Sequence, residues 1–138
     1  MGNLLHEEIT FKINGCAYKV RNAYGMHHKE IVFQRGLAEQ LTSDNIQFIS
    51  QPRINIHSVV TGKPIAVYVP DFLVADLVIV ELKATPYTTK GMEMQLCEYL
   101  KTSKYEVGIY LNFGEDTFKP RRFIFTNDRK PFLTINNP

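Results

Sequence analysis

The chain has 138 residues, 44% of them hydrophobic and 22% charged, with a net charge of +2 and a pI near 8.5. This is the composition of an ordinary soluble protein with one proper core; it excludes a disordered or membrane-embedded chain, and its charge permits a nucleic-acid partner without arguing for one. Cys16 and Cys97 stand far apart with no C-x-x-C pair, which points away from zinc or redox motifs and toward buried thiols in a reduced compartment.

The first segment, "MGNLLHEEITFK", is charged by Glu7, and His6 stands where a myristoylation signal needs Ser or Thr. No apolar run is long enough to span a membrane, so the expected location is cytoplasmic with no membrane partner. Leu5, Ile9, Ile13, Cys16 and Val20 recur at three- and four-residue steps, predicting a first helix that Tyr24 and Gly25 break. A second helix fits residues 28–41, with Phe33, Leu37 and Leu41 on one face. Residues 46–60 read as an extended strand after Pro52, "TGKP" at 61–64 as a turn, and residues 65–74 as the next strand. A turn near Asp76 leads into a strand over 77–84. A short helix follows over 92–101, then strands at 107–111 and 122–125 joined by a polar loop at 114–120. The order is ααβββαββ, an α/β or α+β mixed sheet flanked by helices, expected as one domain over 1–138.

The run "PDFLVADLVIVELKA" at residues 70–84 holds Asp71, Glu81 and Lys83 in an otherwise apolar stretch. Side chains alternate across a strand, so Glu81 and Lys83 share one face with Ile79, opposite Val80 and Leu82. Asp71 joins that face only if the hairpin is centred on Asp76, with an odd loop such as Ala75, Asp76 and Leu77 and pairs 71–81 and 73–79. Two carboxylates and an ammonium then converge where burial without partners costs several kcal/mol each, roughly. Two hard oxygen ligands suit Mg²⁺ or Mn²⁺, and Lys83 can orient water or offset charge on a phosphate. The competing reading is a structural ion pair between Lys83 and Asp71 or Glu81.

Four separated blocks resolve the motif further. "YGMHHKEIVFQRGL", "PDFLVADLVIVELKA", "MQLCEYLK" and "GIYLNFG" occur in that order over residues 4–126, leaving 127–138 as a C-terminal tail. Together they resemble the GxxExxY family, a branch of the PD-(D/E)XK nuclease superfamily with the restriction-endonuclease-like fold. The resemblance implies Asp71 and Glu81 as metal ligands, Lys83 as the catalytic lysine, and Glu30 as a helix-borne acid beside the site. It also implies Gln95 and Tyr99 as helix residues that position substrate or the site's own groups, and their spacing of one turn lets both reach one face. Their bland reading is the edge of an amphipathic helix; that of Glu30 is an acid interacting with a helix dipole. His27 stands where the family has its second glycine, Phe33 where it has its tyrosine, and Met92 where a histidine is common.

The implied activity is Mg²⁺-dependent (or Mn²⁺-dependent) phosphodiester hydrolysis, on DNA in preference to RNA by family analogy. The alternative is a nucleic-acid-binding or accessory module that keeps the fold without catalysis. His27 and His28, read as helical neighbours about 100° apart, cannot both face a metal. Lys119, Arg121, Arg122, Arg129 and Lys130 form a basic cluster that could contact phosphates or be a solvated tail. Sequence leaves the oligomeric state open.

Overall fold

The computed structural model describes residues 4–134. Helix α1 (Glu7–Tyr24) forms where the apolar periodicity predicts, burying Ile13, Cys16, Ala17 and Val20 along one stripe. Glu7 and Glu8 in its first turn and Arg21 in its last complement the helix dipole, and Gly25 ends it at φ 75°. Helix α2 (Glu30–Ser43) buries Phe33, Gly36, Leu37 and Leu41. It starts two residues later than expected, so His27 and His28 lie exposed in the interhelical turn and not on a helix.

Each of the two long strands expected after α2 is broken in two. β1 (Phe48–Ser50) and β2 (Ile54–His57) replace the strand over 46–60. Gln51, in the left-handed region at φ 51°, and Pro52 turn the chain between them. β3 (Pro64–Tyr68) and β4 (Phe72–Val74) replace the strand over 65–74, interrupted around Pro70, which has no N–H for a ladder. β5 (Val78–Lys83), α3 (Lys90–Thr102), β6 (Val107–Asn112) and β7 (Arg121–Ile124) follow. The element order is therefore ααβββββαββ, while the fold class is the mixed α/β sheet flanked by helices that the sequence predicts.

The main sheet runs β1-β4-β5-β6-β7, with β5 and β6 parallel and every other pair antiparallel. A parallel pair needs a crossover, and α3 supplies it. β2 and β3 form a separate two-stranded ribbon. Strand alternation divides the core. Phe72, Val74, Val78, Val80, Leu82, Val107, Ile109 and Leu111 pack against α1 and α2. Leu73, Ile79 and Tyr110 face the other way, against Leu96 and Leu100 of α3 and Ile54 and Tyr68 of the ribbon. Residues 127–134 are less a free tail than a packed strap of two 3₁₀ turns. In it Phe132 is buried and stacks on His57 at 4.8 Å between ring centroids. Among the described residues no helix is long and apolar enough to cross a membrane.

The Asn-Phe-Gly block at the end of β6 fixes the chain that leaves β5. Asn112 pairs in register with Lys83 and is 1% exposed. Its Oδ1 accepts from the Thr85 and Gly114 N–H groups, and its Nδ2 donates to the Thr85 and Thr88 hydroxyls. Gly114 is required by close approach: a Cβ there would lie 2.5 Å from the Thr85 carbonyl oxygen and 2.6 Å from its nitrogen. Backbone cannot yield as a flexible side chain does. Gly114→Ala is expected to destabilise the protein by about 2–3 kcal/mol in urea unfolding. An unchanged midpoint would contradict this account of the turn.

Candidate active site

β4 and β5 pair Phe72 with Val80, Leu73 with Ile79 and Val74 with Val78, so the hairpin is centred on Asp76 and its loop is odd, as the charge pattern requires. Ala75 and Asp76 both take left-handed φ values, 54° and 55°. The conformation is held by Leu77 N–H donating to Val74 O at 3.0 Å and Ala75 N–H to Gln47 O at 2.8 Å. The Tyr105 hydroxyl donates to Asp76 Oδ1 at 3.0 Å. One step beyond the last ladder pair, Asp71 lies opposite Glu81. Leu73, Ile79, Glu81 and Lys83 share that sheet face, the first two buried and the charged pair half-buried.

The β4–β5 ladder ends at the Phe72–Val80 pair, and Leu82 N–H finds its acceptor outside it. Asp71 Oδ2 accepts it at 2.7 Å, and Oδ1 accepts from Gln34 Nε2 at 3.0 Å. Each carboxylate oxygen keeps a lone pair free. Gln34 lies one turn along α2 from Glu30, so the helix start presents both side chains toward the hairpin. Glu30 is raised by partial burial and then by Asp71, and lowered by Lys83, which puts it within the electrostatic reach of both.

Burial raises Asp71, while the Leu82 N–H, Lys83 and Gln34 pull it back. Burial raises Glu81 further, and the Asp71 charge adds to it, carrying its carboxyl from an ordinary 4.5 to about 7. Lys83 lowers all three acids. Yet among the described residues Lys83 makes no ion pair within 4.0 Å and no hydrogen bond, so its ammonium is not spent on a structural salt bridge. The ion-pair reading of the motif fails on that point. Too much negative charge sits here for one lysine to balance.

Tyr68, at the end of β3, is a member of this site that sequence reasoning missed. It is 6% exposed and stacks on Tyr99 at 3.5 Å between centroids and 10° between planes. Its hydroxyl borders Glu81 closely enough for that acid to push it upward after burial, but makes no well-formed hydrogen bond. Gln34 was missed too; the i, i+4 spacing from Glu30 was its only signal. Tyr99 reaches the site through this stack. Gln95, one turn before Tyr99 on α3, is exposed and has no hydrogen bond among the described residues.

The basic cluster is largely committed elsewhere. Arg121 is paired with Glu115 at 2.9 Å, Arg122 donates to Leu5 O at 2.6 Å, and Lys130, 1% exposed, donates to the Ser103 and Tyr105 carbonyls. Arg129 lies over the Phe125 ring. Of the five, Lys119 alone is exposed without such a partner among the described residues.

Among the described residues no three His, Cys, Asp or Glu side chains converge into a ready cage. The donor set is Asp71 and Glu81, two hard oxygen ligands with excess charge between them, and it fits a divalent cation that keeps water in its remaining positions. The unpartnered Tyr68 hydroxyl beside Glu81 gives such hydration a polar neighbour.

A model of the PD-(D/E)XK nuclease superfamily matches residues 7–123, which takes in both helices, the hairpin, α3 and β6. No curated protein and no solved structure matches the chain.

The raised Glu81 predicts a pH signature. Between pH 4.5 and about 7 the native protein holds a proton that the unfolded chain has lost, so this group's contribution to stability falls as pH rises through that window. Glu81→Gln removes the penalty. The metal-free variant is expected to be about 2 kcal/mol more stable than wild type at pH 8.5 and nearly equal to it at pH 4.5, measured by thermal unfolding. Equal stabilities at both pH values would contradict the assignment.

Proposed function

The chain belongs to the PD-(D/E)XK nuclease superfamily, and we propose that it is a Mg²⁺- or Mn²⁺-dependent nuclease that hydrolyses DNA in preference to RNA. Superfamily members generally use divalent metal ions on nucleic-acid substrates. The observation that carries the reading is the juxtaposition of Asp71 with Glu81 beside a Lys83 ammonium that makes no ion pair within 4.0 Å and no hydrogen bond among the described residues.

Asp71 and Glu81 would hold the cation. When bound, it supplies Lewis-acid stabilisation of a phosphate oxygen and makes water more acidic. The chain does the rest. Leu82 N–H and Gln34 fix the Asp71 carboxylate, and the buried bed of Leu73 and Ile79 keeps bulk water from one side. Lys83 orients the attacking water and offsets charge as its oxygen bonds to phosphorus and the P–O ester bond breaks, the leaving oxygen taking up a proton. Glu30, at the start of α2, adds an acid at the edge of the site.

The finer assignment to the GxxExxY branch rests on the four sequence blocks, and the departures from its pattern are compatible with activity. Phe33 is fully buried and stacks on Phe113 at 4.7 Å, within the cluster on the sheet face away from Glu81. His27 lies in the exposed interhelical turn. Neither position supplies a group to the carboxylate pair.

The test is cleavage of single-stranded DNA, double-stranded DNA and RNA with Mg²⁺ or Mn²⁺. Lys83→Ala is expected to lower cleavage by about 10³-fold while keeping Mn²⁺ affinity within about threefold, because the lysine acts on water and phosphate and is not a ligand. Glu81→Ala loses both. Cleavage unchanged in Lys83→Ala overturns the assignment, and a protein that binds Mn²⁺ but cleaves nothing is the accessory module instead.

A further inference from the structure

Three buried side-chain polar atoms lack a hydrogen-bond partner among the described residues: Asn14 Oδ1, Asn127 Oδ1 and the Tyr68 hydroxyl. Two are amide oxygens remote in sequence from the motif. The third belongs to a side chain aimed at the acid that the nuclease reading makes a metal ligand. Leaving a buried hydroxyl unbonded costs about 1–3 kcal/mol, and a phenylalanine would fill the same space without that cost. The hydroxyl therefore calls for a reason of its own.

Its surroundings supply one. The Tyr68 ring is clamped face to face by Tyr99 of α3, and its backbone is held in the ribbon by pairing with Ile54. Tyr68 and Glu81 thus approach one another from two different sheets, and the ring has no freedom to turn its hydroxyl elsewhere. Glu81 has no comparable anchor. Asp71 is fixed by Leu82 N–H and Gln34, whereas Glu81 is approached only by the Tyr68 hydroxyl and the Asp71 N–H, neither in a well-formed hydrogen bond among the described residues. Carboxylates that ligate cations are oriented by hydrogen bonds from neighbouring groups, and losing such a neighbour weakens metal binding by about 10–100-fold.

We propose that Tyr68 is a positioning residue for Glu81, its hydroxyl donating to the carboxylate when that carboxylate holds a divalent cation, with Tyr99 acting through the ring stack. This rests on the metal site of the nuclease reading. It also gives the tyrosine of the "MQLCEYLK" block a task other than touching substrate: it holds Tyr68 against the acid.

Tyr68→Phe keeps the ring and the stack and removes one oxygen. Mn²⁺ binding followed by calorimetry is expected to weaken at least tenfold. The metal-free melting temperature is expected to stay level or rise, since the hydroxyl makes no well-formed hydrogen bond there. At saturating Mn²⁺, kcat for DNA falls while KM is unchanged. Affinity within twofold of wild type overturns the inference, as does a marked drop in metal-free stability, which would make the hydroxyl a structural bond. A wild type that binds and cleaves normally beside an equally tight Tyr68→Phe overturns this inference alone. A wild type that binds Mn²⁺ without cleaving, with Tyr68→Phe weakened, removes the nuclease reading and keeps the inference. A wild type that binds no Mn²⁺ removes both.

Discussion

Three residues close the β4–β5 hairpin, and their odd number sets the geometry of the site. With Ala75, Asp76 and Leu77 in the loop, residues whose numbers are both odd face one another, so Asp71 meets Glu81. A two-residue loop would send Asp71 to the opposite face, among Phe72's neighbours in the α1–α2 core, where its charge would have no partner. The loop is not free of cost. Ala75 and Asp76 both occupy the left-handed region that glycine favours, and a β1 carbonyl neighbour and the Tyr105 hydroxyl hold them there. Local strain and tertiary hydrogen bonds are thus matched at the point from which the carboxylates diverge.

The carboxylates are then held unequally. Asp71 takes over from the β4 backbone where the ladder ends at the Phe72–Val80 pair, accepting the Leu82 N–H in place of a main-chain carbonyl. Glu81 sits deeper in the electrostatic deficit, raised by burial and by its neighbour's charge. Two half-buried acids with no ion pair among the described residues cost stability, and only Asp71 offsets part of that cost, through the Leu82 N–H and Gln34. That cost, beside a Lys83 ammonium with no ion pair or hydrogen bond among the described residues, is the physical argument for a bound cation and an anionic substrate. On the far side of Lys83, Asn112 and Gly114 lock the departing chain against β6, so the lysine leaves a strand whose end cannot drift.

Positive charge in the sequence was a poor guide to the substrate surface. Arg121, Arg122 and Lys130 look like a phosphate-binding cluster in one dimension. In three dimensions they close the fold: Arg122 reaches the N-terminal end of α1, Lys130 ties the C-terminal strap to the carbonyls after α3, and Arg121 is caged by Glu115 and Glu93. A guanidinium with five donors serves buried carbonyls as readily as phosphates, and only its neighbours distinguish the two uses.

What the sequence by itself determined follows from short-range rules. Apolar spacing of three and four residues fixed α1, and period-two alternation with an odd loop fixed the hairpin and the common face of Asp71, Glu81 and Lys83. These are properties of consecutive residues, so they survive without knowledge of the rest of the chain. The broken strands were less visible, because Gln51 gives no hint that it takes a left-handed φ, and Pro52 and Pro70 are compatible with either an edge strand or a break. Tyr68 and Gln34 were invisible as site members. Each is ordinary in its own element, a tyrosine ending a strand and a glutamine on an amphipathic helix. Each acquires its place only when a separate ribbon or helix packs over the hairpin and brings it to an acid far along the chain. Such contacts depend on how whole elements dock, a sum of many weak packing terms that no local pattern encodes.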